Sequence, residues 1–498
     1  YNQRPFFLYV SALFEFIVKL HPEISIKSKS VRKRQTMLLE QNIKTILLRI
    51  DPSVEVHNLF DHLTVRLDKN DLTLRDQMVE HLQCIPGIVQ FAQMESATFT
   101  DLHDIFEQVL ALYRPQLEHK SFCVRVRRQG NHPFTSTEAE RYIGGGLNQH
   151  IASAKVQLHK PDVTVQLEIR KEQLIMKTNI YQGMGGFPLP SQGDVLSLIS
   201  GGFDSAVASY LMIRKGLRTH YLFFNLGGAA HETGVRQMSF YLWQKFSLSH
   251  KVKFVSVDFA PVVTEILTKI DSGLMGVVLK RMMMRAATTV AESLNIKAVV
   301  TGESIGQVAS QTIANLNAID RVTDMLILRP LIYQDKQEII DMARAIGTEY
   351  LAKSMPEYCG VISKSPTINA VMADVEAAEA RFDFEILKQV SEAAKVLDIR
   401  TVEYQADQQV ATVQTESVLP AGAVVIDIRA SDEVEDKPLQ LHTHQIVELP
   451  FFKLAKGFAE LDQQQQYFLY CERGVMSRLQ ALLLAEQGYQ NVGVYKKS

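Results

Sequence analysis

Val195 to Ile199 is a short apolar run, long enough for one buried strand, and from Ala206 to Arg214 apolar residues return at helical spacing until Gly216. The six residues between, Ser200-Gly201-Gly202-Phe203-Asp204-Ser205, therefore turn the chain from strand to helix. The alternation continues. His220–Phe224, Lys253–Asp258, Ala298–Val300 and Met325–Leu331 read as strands between helical patterns, with helices over about 371–398. Such alternation predicts a doubly wound parallel sheet, whose ligands sit at the carboxyl ends of the strands. Three loops are thereby placed together: 200–205, 225–232 and 301–311.

Ahead of this sheet, Phe14–Leu20 reads as a strand, Ser30–Arg49 as a helix, and Ser53–His57 and His62–Leu67 as strands. A helix from Asp71 and a strand over Gly87–Met94 complete the order βαββαβ, the ferredoxin-like arrangement. Next come a helix over Asp101–Leu117 and a strand over Ser121–Arg128, which sets Cys123, Arg125 and Arg127 on one face and Phe122, Val124 and Val126 on the other. Thr137–Ala152 reads as a helix broken by Gly144-Gly145-Gly146, a costly composition for a helix interior. Glycine there suggests close backbone approach, to another element or to a sugar-phosphate chain. Strands at Val163–Ile169 and Leu174–Ile180 close this unit, and Gly183–Pro190 is a linker by composition. Downstream of the large sheet, 404–418 is a polar linker. Strands then follow at Val424–Ile428, Val447–Leu449 and Tyr467–Tyr470, with a helix over Arg478–Gln487. The expected domains are 14–75, 76–182, 183–403 and 419–498.

A length of 498 residues suits this division. The formal net charge of −2 gives no overall pull toward nucleic acid, so any such site must be a local patch. One candidate is the run Lys27, Lys29, Arg32, Lys33, Arg34, although a solvated face is the commoner explanation of such a run. Four cysteines (Cys84, Cys123, Cys359, Cys471) are too few and too scattered for a disulfide framework or a CxxC zinc site, and a reducing cytoplasm suits them. Phe6–Leu20 is apolar but short for a membrane span and carries Glu15 and Lys19, so a soluble, cytoplasmic protein without membrane contact is expected.

The turn at 200–205 is built for an anion. Two glycines allow a tight turn and close approach to a ligand, and the exposed N–H groups add to the dipole of the helix that follows. Asp204 looks out of place there unless something offsets it; Mg²⁺ bound to the same phosphates would. No Gly-Lys-Ser/Thr follows, so this is not a Walker A loop. Further cations come from Lys280-Arg281, expected at a helix opening whose Met282–Met284 read as core. Lys336 follows the helix cap Asp335, with Glu338 three positions on. A lysine in a first turn opposes the dipole by ~0.3–1 kcal/mol, a sign that a polyphosphate would reverse; simple solvation is the other reading. Gly302 and Gln311, after the strand at 298–300, offer close approach and an amide that both donates and accepts. At the far end, Cys471 ends a strand and meets Glu472-Arg473-Gly474-Val475-Met476-Ser477, a loop whose N–H groups would favour the nucleophilic thiolate. Cysteine phosphatases require C-x5-R, but Ser477 holds the arginine's place.

These stretches resemble known families. SGGFDS matches the SGGxDS signature of the PP-loop ATP pyrophosphatases, which cut ATP between the α and β phosphates and leave an adenylated substrate. CVRVRRQGNHPFTSTEAERYIGGGLNQHI resembles the THUMP domain, which holds the acceptor end of tRNA. VIDIR at 425–429 and the Cys471 loop look rhodanese-like. The runs LSLISGGFDS, FFNLGGAAHE, LKRMMMRAA, VTGESIGQVASQT, LRPLIYQDK and MPEYCGVISKSPT are similar to the bacterial tRNA 4-thiouridine synthetases, a family also known as thiamine-biosynthesis sulfurtransferases. The implied fold is a multidomain α/β protein: ferredoxin-like and THUMP modules, a doubly wound PP-loop domain and a C-terminal rhodanese-like domain.

The resemblance further implies ATP and Mg²⁺ as cofactors, with ATP held near Leu198, Ile199, Ser200, Gly201, Gly202 and Ser205, and by Lys280, Gly302 and Gln311. Asp204 would serve adenylation and Lys336 the phosphates. Cys471 would carry a persulfide that Cys359 resolves as a Cys359–Cys471 disulfide. The implied partners are tRNA, modified at uridine 8, a cysteine desulfurase as sulfur donor, and a small sulfur-carrier protein of thiamine synthesis. Two other classes stand beside this reading. An ammonia-using PP-loop synthetase or amidotransferase would have no use for Cys471, and a non-catalytic tRNA-binding scaffold would need neither Asp204 nor Cys471.

Overall fold

Along Phe14–Leu20 burial alternates as a half-buried strand requires, with Phe14, Phe16 and Val18 inside and Glu15, Ile17 and Lys19 less covered. The computed structural model describes all residues except 1–13, 60–61, 227, 354, 356–364, 402–413, 430–433, 436, 442, 451–453, 455–456, 472–473 and 497–498. It divides into two units, Tyr1–Ser191 with Arg214–Gly216, and Gln192–Ile213 with Leu217–Ser498.

In the first unit the order is β1 (Phe14–Leu20), α1 (Pro22–Ser25), α2 (Lys29–Leu47), β2 (Val54–Asn58), β3 (Leu63–Leu67), α3 (Leu72–Gln83) and β4 (Ile88–Thr98). It continues with α4 (Leu102–Leu117), β5 (Ser121–Gln129), α5 (Ser136–His150), β6 (Lys155–Val156), β7 (Val163–Arg170) and β8 (Gln173–Gln182). All eight strands form one sheet, ordered β2-β3-β1-β4-β8-β7-β5-β6. The long β4 joins its halves, pairing antiparallel with both β1 and β8. Residue 75, the expected end of the first module, lies inside α3. Fully buried Phe16, Phe91 and Phe122 each contribute about 1.5–3 kcal/mol of burial.

Helix α5 is not broken at its glycines. A Cβ on Gly146 would lie 2.4 Å from the Phe106 ring of α4, so this glycine serves helix-to-helix approach, whereas Gly145 faces open space. Thr135 caps the helix, accepting from the Glu138 N–H, while Glu138 reaches back to the Thr135 N–H.

The second unit contains β9 (Asp194–Leu198), α6 (Phe203–Arg214), β10 (Arg218–Asn225), α7 (Gly228–Phe246), β11 (Lys253–Asp258), α8 (Ala260–Lys269), α9 (Met275–Ser293) and β12 (Ala298–Val300). After these come α10 (Ile313–Asp320), β13 (Leu326–Leu328), α11 (Lys336–Ile346), α12 (Glu349–Lys353), α13 (Met372–Glu379), α14 (Phe384–Glu392) and β14 (Lys395–Asp398). The sheet order is β13-β12-β9-β10-β11-β14. Its first five strands are parallel, and β14 adds an antiparallel edge to β11 where a helix was expected. A four-residue edge strand leaves too little pattern to separate it from the helix before it. Strand order reverses at β9, between β10 and β12, which makes the carboxyl ends of β9 and β12 the crevice of the sheet.

The C-terminal sheet of this unit is all parallel, ordered β15 (Thr415–Glu416), β19 (Val492–Tyr495), β18 (Tyr467–Tyr470), β16 (Val424–Asp427), β17 (Gln445–Glu448), with helix α15 (Val475–Glu486) after β18. Thr415–Glu416 belongs to this sheet rather than to the expected linker over 404–418, most of which lies outside the described residues. Helix α15 lies against α7.

Candidate active site

The loop after β9 turns at Gly201, whose φ of +82° suits glycine. Helix α6 begins at Phe203, earlier than its apolar spacing suggested, so Asp204 sits in its first turn, where a carboxylate is favoured by the dipole. The Ser205 hydroxyl closes the turn, accepting from the Ser200 N–H at 3.2 Å and donating to the Gly202 carbonyl at 3.2 Å. The Ile199 N–H donates to the Leu222 carbonyl and so is already engaged within the sheet. From the 225–232 segment, His231 Nε2 lies 3.3 Å from the Ser200 carbonyl; burial lowers its pKa, against that contact and the Glu232 charge.

Gly302, just after β12, lies against the same turn: a Cβ there would stand 2.7 Å from the Asp204 carbonyl carbon and 2.8 Å from Ser205 N. The loop that it begins reaches Asp204 through Gln307, whose Nε2 donates to Oδ2 at 2.8 Å. Gln311 is buried, and its Oε1 accepts from the Ser304 N–H at 3.4 Å. From the start of α11, Lys336 brings its ammonium 2.8 Å from Asp204 Oδ1 and 5.7 Å from the centre of the Phe203 ring. Asp204 is thus held by two protein groups, an ammonium and an amide. Gln307 escaped the sequence reading because nothing local marks one glutamine among several.

Lys280 and Arg281 lie in the second turn of α9 rather than at its opening. Arg281 turns inward onto Glu379 at 2.6 Å and serves the core with Met282–Met284. Lys280 stays with the site, 3.6 Å from Glu303 Oε1, and Arg329 donates to Glu303 Oε2 at 2.9 Å. Burial pushes the Glu303 pKa up, but the charges of Lys280 and Arg329 and the hydrogen bonds from Arg329 and Thr301 outweigh it and hold it below the usual range. A carboxylate directly after a glycine at a strand end was the available signal for Glu303.

In the C-terminal sheet, β16 and β18 are neighbours, with Asp427 opposite Tyr470, which brings Arg429 and Cys471 to one edge. Asp427 and Arg429 form a buried ion pair at 2.6 Å, and the guanidinium stands 5.2 Å from the Tyr470 ring centre. The half-buried Cys471 Sγ accepts from the Ser477 N–H at 3.3 Å, with Ser477 Oγ at 3.4 Å. Gly474 takes a φ of +72° within this loop. Cys359, the expected resolving thiol, lies outside the described residues, as do Glu472 and Arg473.

In the first unit, Arg125 and Arg127 are exposed on the β5 face opposite Phe122, Val124 and Val126. Burial, then the nearby charges of Lys19 and Arg127, lower the pKa of half-buried Lys177, against the opposing charge of Glu168. The basic run at 27–34 is mostly exposed around the start of α2, with Arg32 partly covered.

A switch-point crevice with a glycine turn and charged side chains, followed by a parallel sheet that presents a cysteine loop, defines a nucleotide-type α/β enzyme with a thiol-bearing companion domain. Family models match four successive stretches: the ThiI ferredoxin-like domain over 15–92, the THUMP domain over 99–178, the thiamine biosynthesis protein (ThiI) over 190–384 and the rhodanese-like domain over 385–498. Proteins named tRNA sulfurtransferase are similar along nearly the whole chain. The one from Tolumonas auensis is 57% identical over 97% of this chain and 100% of its own. Those from Colwellia psychrerythraea and Salmonella typhi are 54% and 56% identical over the same shares. A crystal structure of a 4-thiouridine synthetase–RNA complex with bound ATP is similar at a TM-score of 0.67 and 25% identity, covering 78% of this chain and 99% of that one. The chain belongs to the tRNA sulfurtransferase family.

Proposed function

We propose that this protein replaces the C4 oxygen of uridine 8 in tRNA with sulfur, in two half-reactions divided between its two C-terminal sheets. The carrying observation is the convergence of Asp204, Lys336 and Gln307 on the glycine turn after β9. The relative solved with RNA and bound ATP supports the choice of substrates. The turn, Lys280, Gly302 and Gln311 bind ATP, and the Arg125–Arg127 face binds tRNA.

In the first half-reaction the uracil O4 attacks the α-phosphorus, pyrophosphate leaves, and C4 acquires AMP as its leaving group. Lys336 and the turn N–H groups stabilise charge that develops on the phosphates. Asp204 orients Lys336 and the reacting end of the nucleotide. Mg²⁺ fits as an ion carried by the phosphates: no cluster of three His, Cys, Asp or Glu ligands exists among the described residues, and one carboxylate beside a phosphate loop is a common Mg²⁺ arrangement. When bound, it would neutralise phosphate charge.

In the second half-reaction the terminal sulfur of a Cys471 persulfide, charged by a cysteine desulfurase, attacks C4 and AMP leaves. Cys359 then attacks the Cys471 sulfur, which frees the thiocarbonyl and forms the Cys359–Cys471 disulfide; an external dithiol supplies two electrons to reset it. The Ser477 N–H stabilises the sulfur anion at Cys471. The same persulfide serves a small carrier protein for the thiamine thiazole. Mass spectrometry of tRNA after incubation with ATP, cysteine and a desulfurase tests this reading. One oxygen-to-sulfur exchange with stoichiometric AMP is expected; unmodified tRNA, or AMP without exchange, would sink it.

A further inference from the structure

The rim of the charged cluster is apolar and uncovered. Tyr333 is 81% exposed, the most exposed large apolar side chain among the described residues, and Ile305 and Val308 are 49% and 52% exposed. Isolated exposed apolar side chains are ordinary, but these three are not isolated. Ile305 and Val308 flank Gln307, which holds Asp204, and Tyr333 stands three positions before Lys336, which holds it from the other side. Their two loops are tied together, the Ile305 N–H donating to the Ile332 carbonyl at 3.0 Å and the Ser304 hydroxyl to the Gln334 carbonyl at 2.8 Å. The backbone that carries these three side chains is therefore held together beside the charged cluster.

An unpaired nucleobase matches that surface: it has two apolar faces and a polar edge, and enzymes that act on a base remove it from its stack and lay it on aromatic or apolar side chains. We propose that Tyr333, with Ile305 and Val308, is the platform on which the reacting uracil lies, its polar edge turned toward Asp204, Lys336 and Gln307. Tyr333 is on this view a specificity-determining residue for tRNA and has no role in ATP binding. The proposal rests on the uridine reading above.

Two experiments on the full chain decide it. In the first, tRNA that already carries 4-thiouridine at position 8, itself a contact photocrosslinker, is irradiated with the enzyme under long-wavelength ultraviolet light and the joined peptide is mapped. Attachment within 305–308 or at Tyr333 is expected; attachment elsewhere overturns the platform. In the second, Tyr333→Ala should lower kcat/KM for tRNA by about five- to a hundredfold, the range for loss of one base–aromatic stack. Its KM for ATP should stay as in the wild type, and Tyr333→Phe should keep activity within about twofold because the ring, not the hydroxyl, stacks. Wild-type kinetics in Tyr333→Ala overturn the proposal. So does a defect confined to sulfur transfer with tRNA-dependent AMP formation intact, which would assign the rim to protein docking. A wild-type enzyme that forms no 4-thiouridine would instead remove the underlying functional reading.

Discussion

The Lys336 ammonium lies 2.8 Å from Oδ1 and 3.0 Å from Oδ2 of Asp204, although 132 positions separate the two residues. Each removes the other's disadvantage. A lysine in the first turn of α11 opposes that helix dipole, and a carboxylate beside an anion loop repels phosphate. Paired, they form a unit that a polyphosphate can engage through the ammonium.

Asp204→Asn and Lys336→Met should each lower AMP formation by about a hundredfold or more, the usual scale for removing one preorganised charge. The double variant should be little worse than the poorer single one, since both remove the same interaction. Affinity for tRNA should stay within about twofold of wild type, because the Arg125–Arg127 face is unaltered. Radiolabelled AMP release and filter binding measure the two quantities; additive losses would show that the residues act independently.

A Cys359–Cys471 disulfide should appear after one turnover without reductant, and only when both tRNA and ATP are present. Its formation requires Cα atoms within ~7 Å, so the two segments must meet when the activated base is in place. Peptide mapping checks this. Cys359→Ala should still form AMP but stall with sulfur on Cys471; normal turnover in that variant would remove the resolving role.

Neighbouring glycines of α5 should answer substitution in opposite directions. Gly146→Ala places a methyl 2.4 Å from the Phe106 ring and should cost about 1–3 kcal/mol through overpacking. Gly145→Ala meets nothing within 4 Å and should stabilise by about 0.5–1 kcal/mol through helix propensity. Thermal and denaturant melts decide; equal effects would mean that the α4–α5 contact is looser than described.

His220 should make the second unit acid-sensitive. Burial pushes its pKa down to about 4 against the opposing pull of Asp194, while its Nδ1 accepts from the Lys253 N–H at 2.9 Å. Between its ordinary value near 6.5 and about 4, the unfolded chain binds a proton that the folded chain resists. Its contribution is therefore complete above pH ~6.5 and declines as pH falls toward ~4, by at most ~3 kcal/mol. Denaturant titrations over that range should show a shallower pH slope for His220→Gln than for wild type.

What the sequence determined by itself was local. Glycine spacing, apolar runs and caps are consequences of backbone sterics and short-range hydrogen bonding, so the turn at 200–205, the strand before it and the helix after it, the Asp335–Glu338 helix start and the cysteine at the end of β18 could all be read directly. Family resemblance extended this to the companion domains and to the residues proposed to bind ATP. What only the tertiary structure decided was pairing across distance. One β4 unites the two N-terminal modules in a single sheet, and Gly146 serves a neighbouring helix. Arg281 turns into the core while Lys280, one position away, faces Glu303. Gln307 reaches Asp204 from a loop and Lys336 from the start of α11. No local rule selects such partners: which side chains meet depends on sheet order and on how each helix rotates to bury its apolar face, and both are properties of the packed whole.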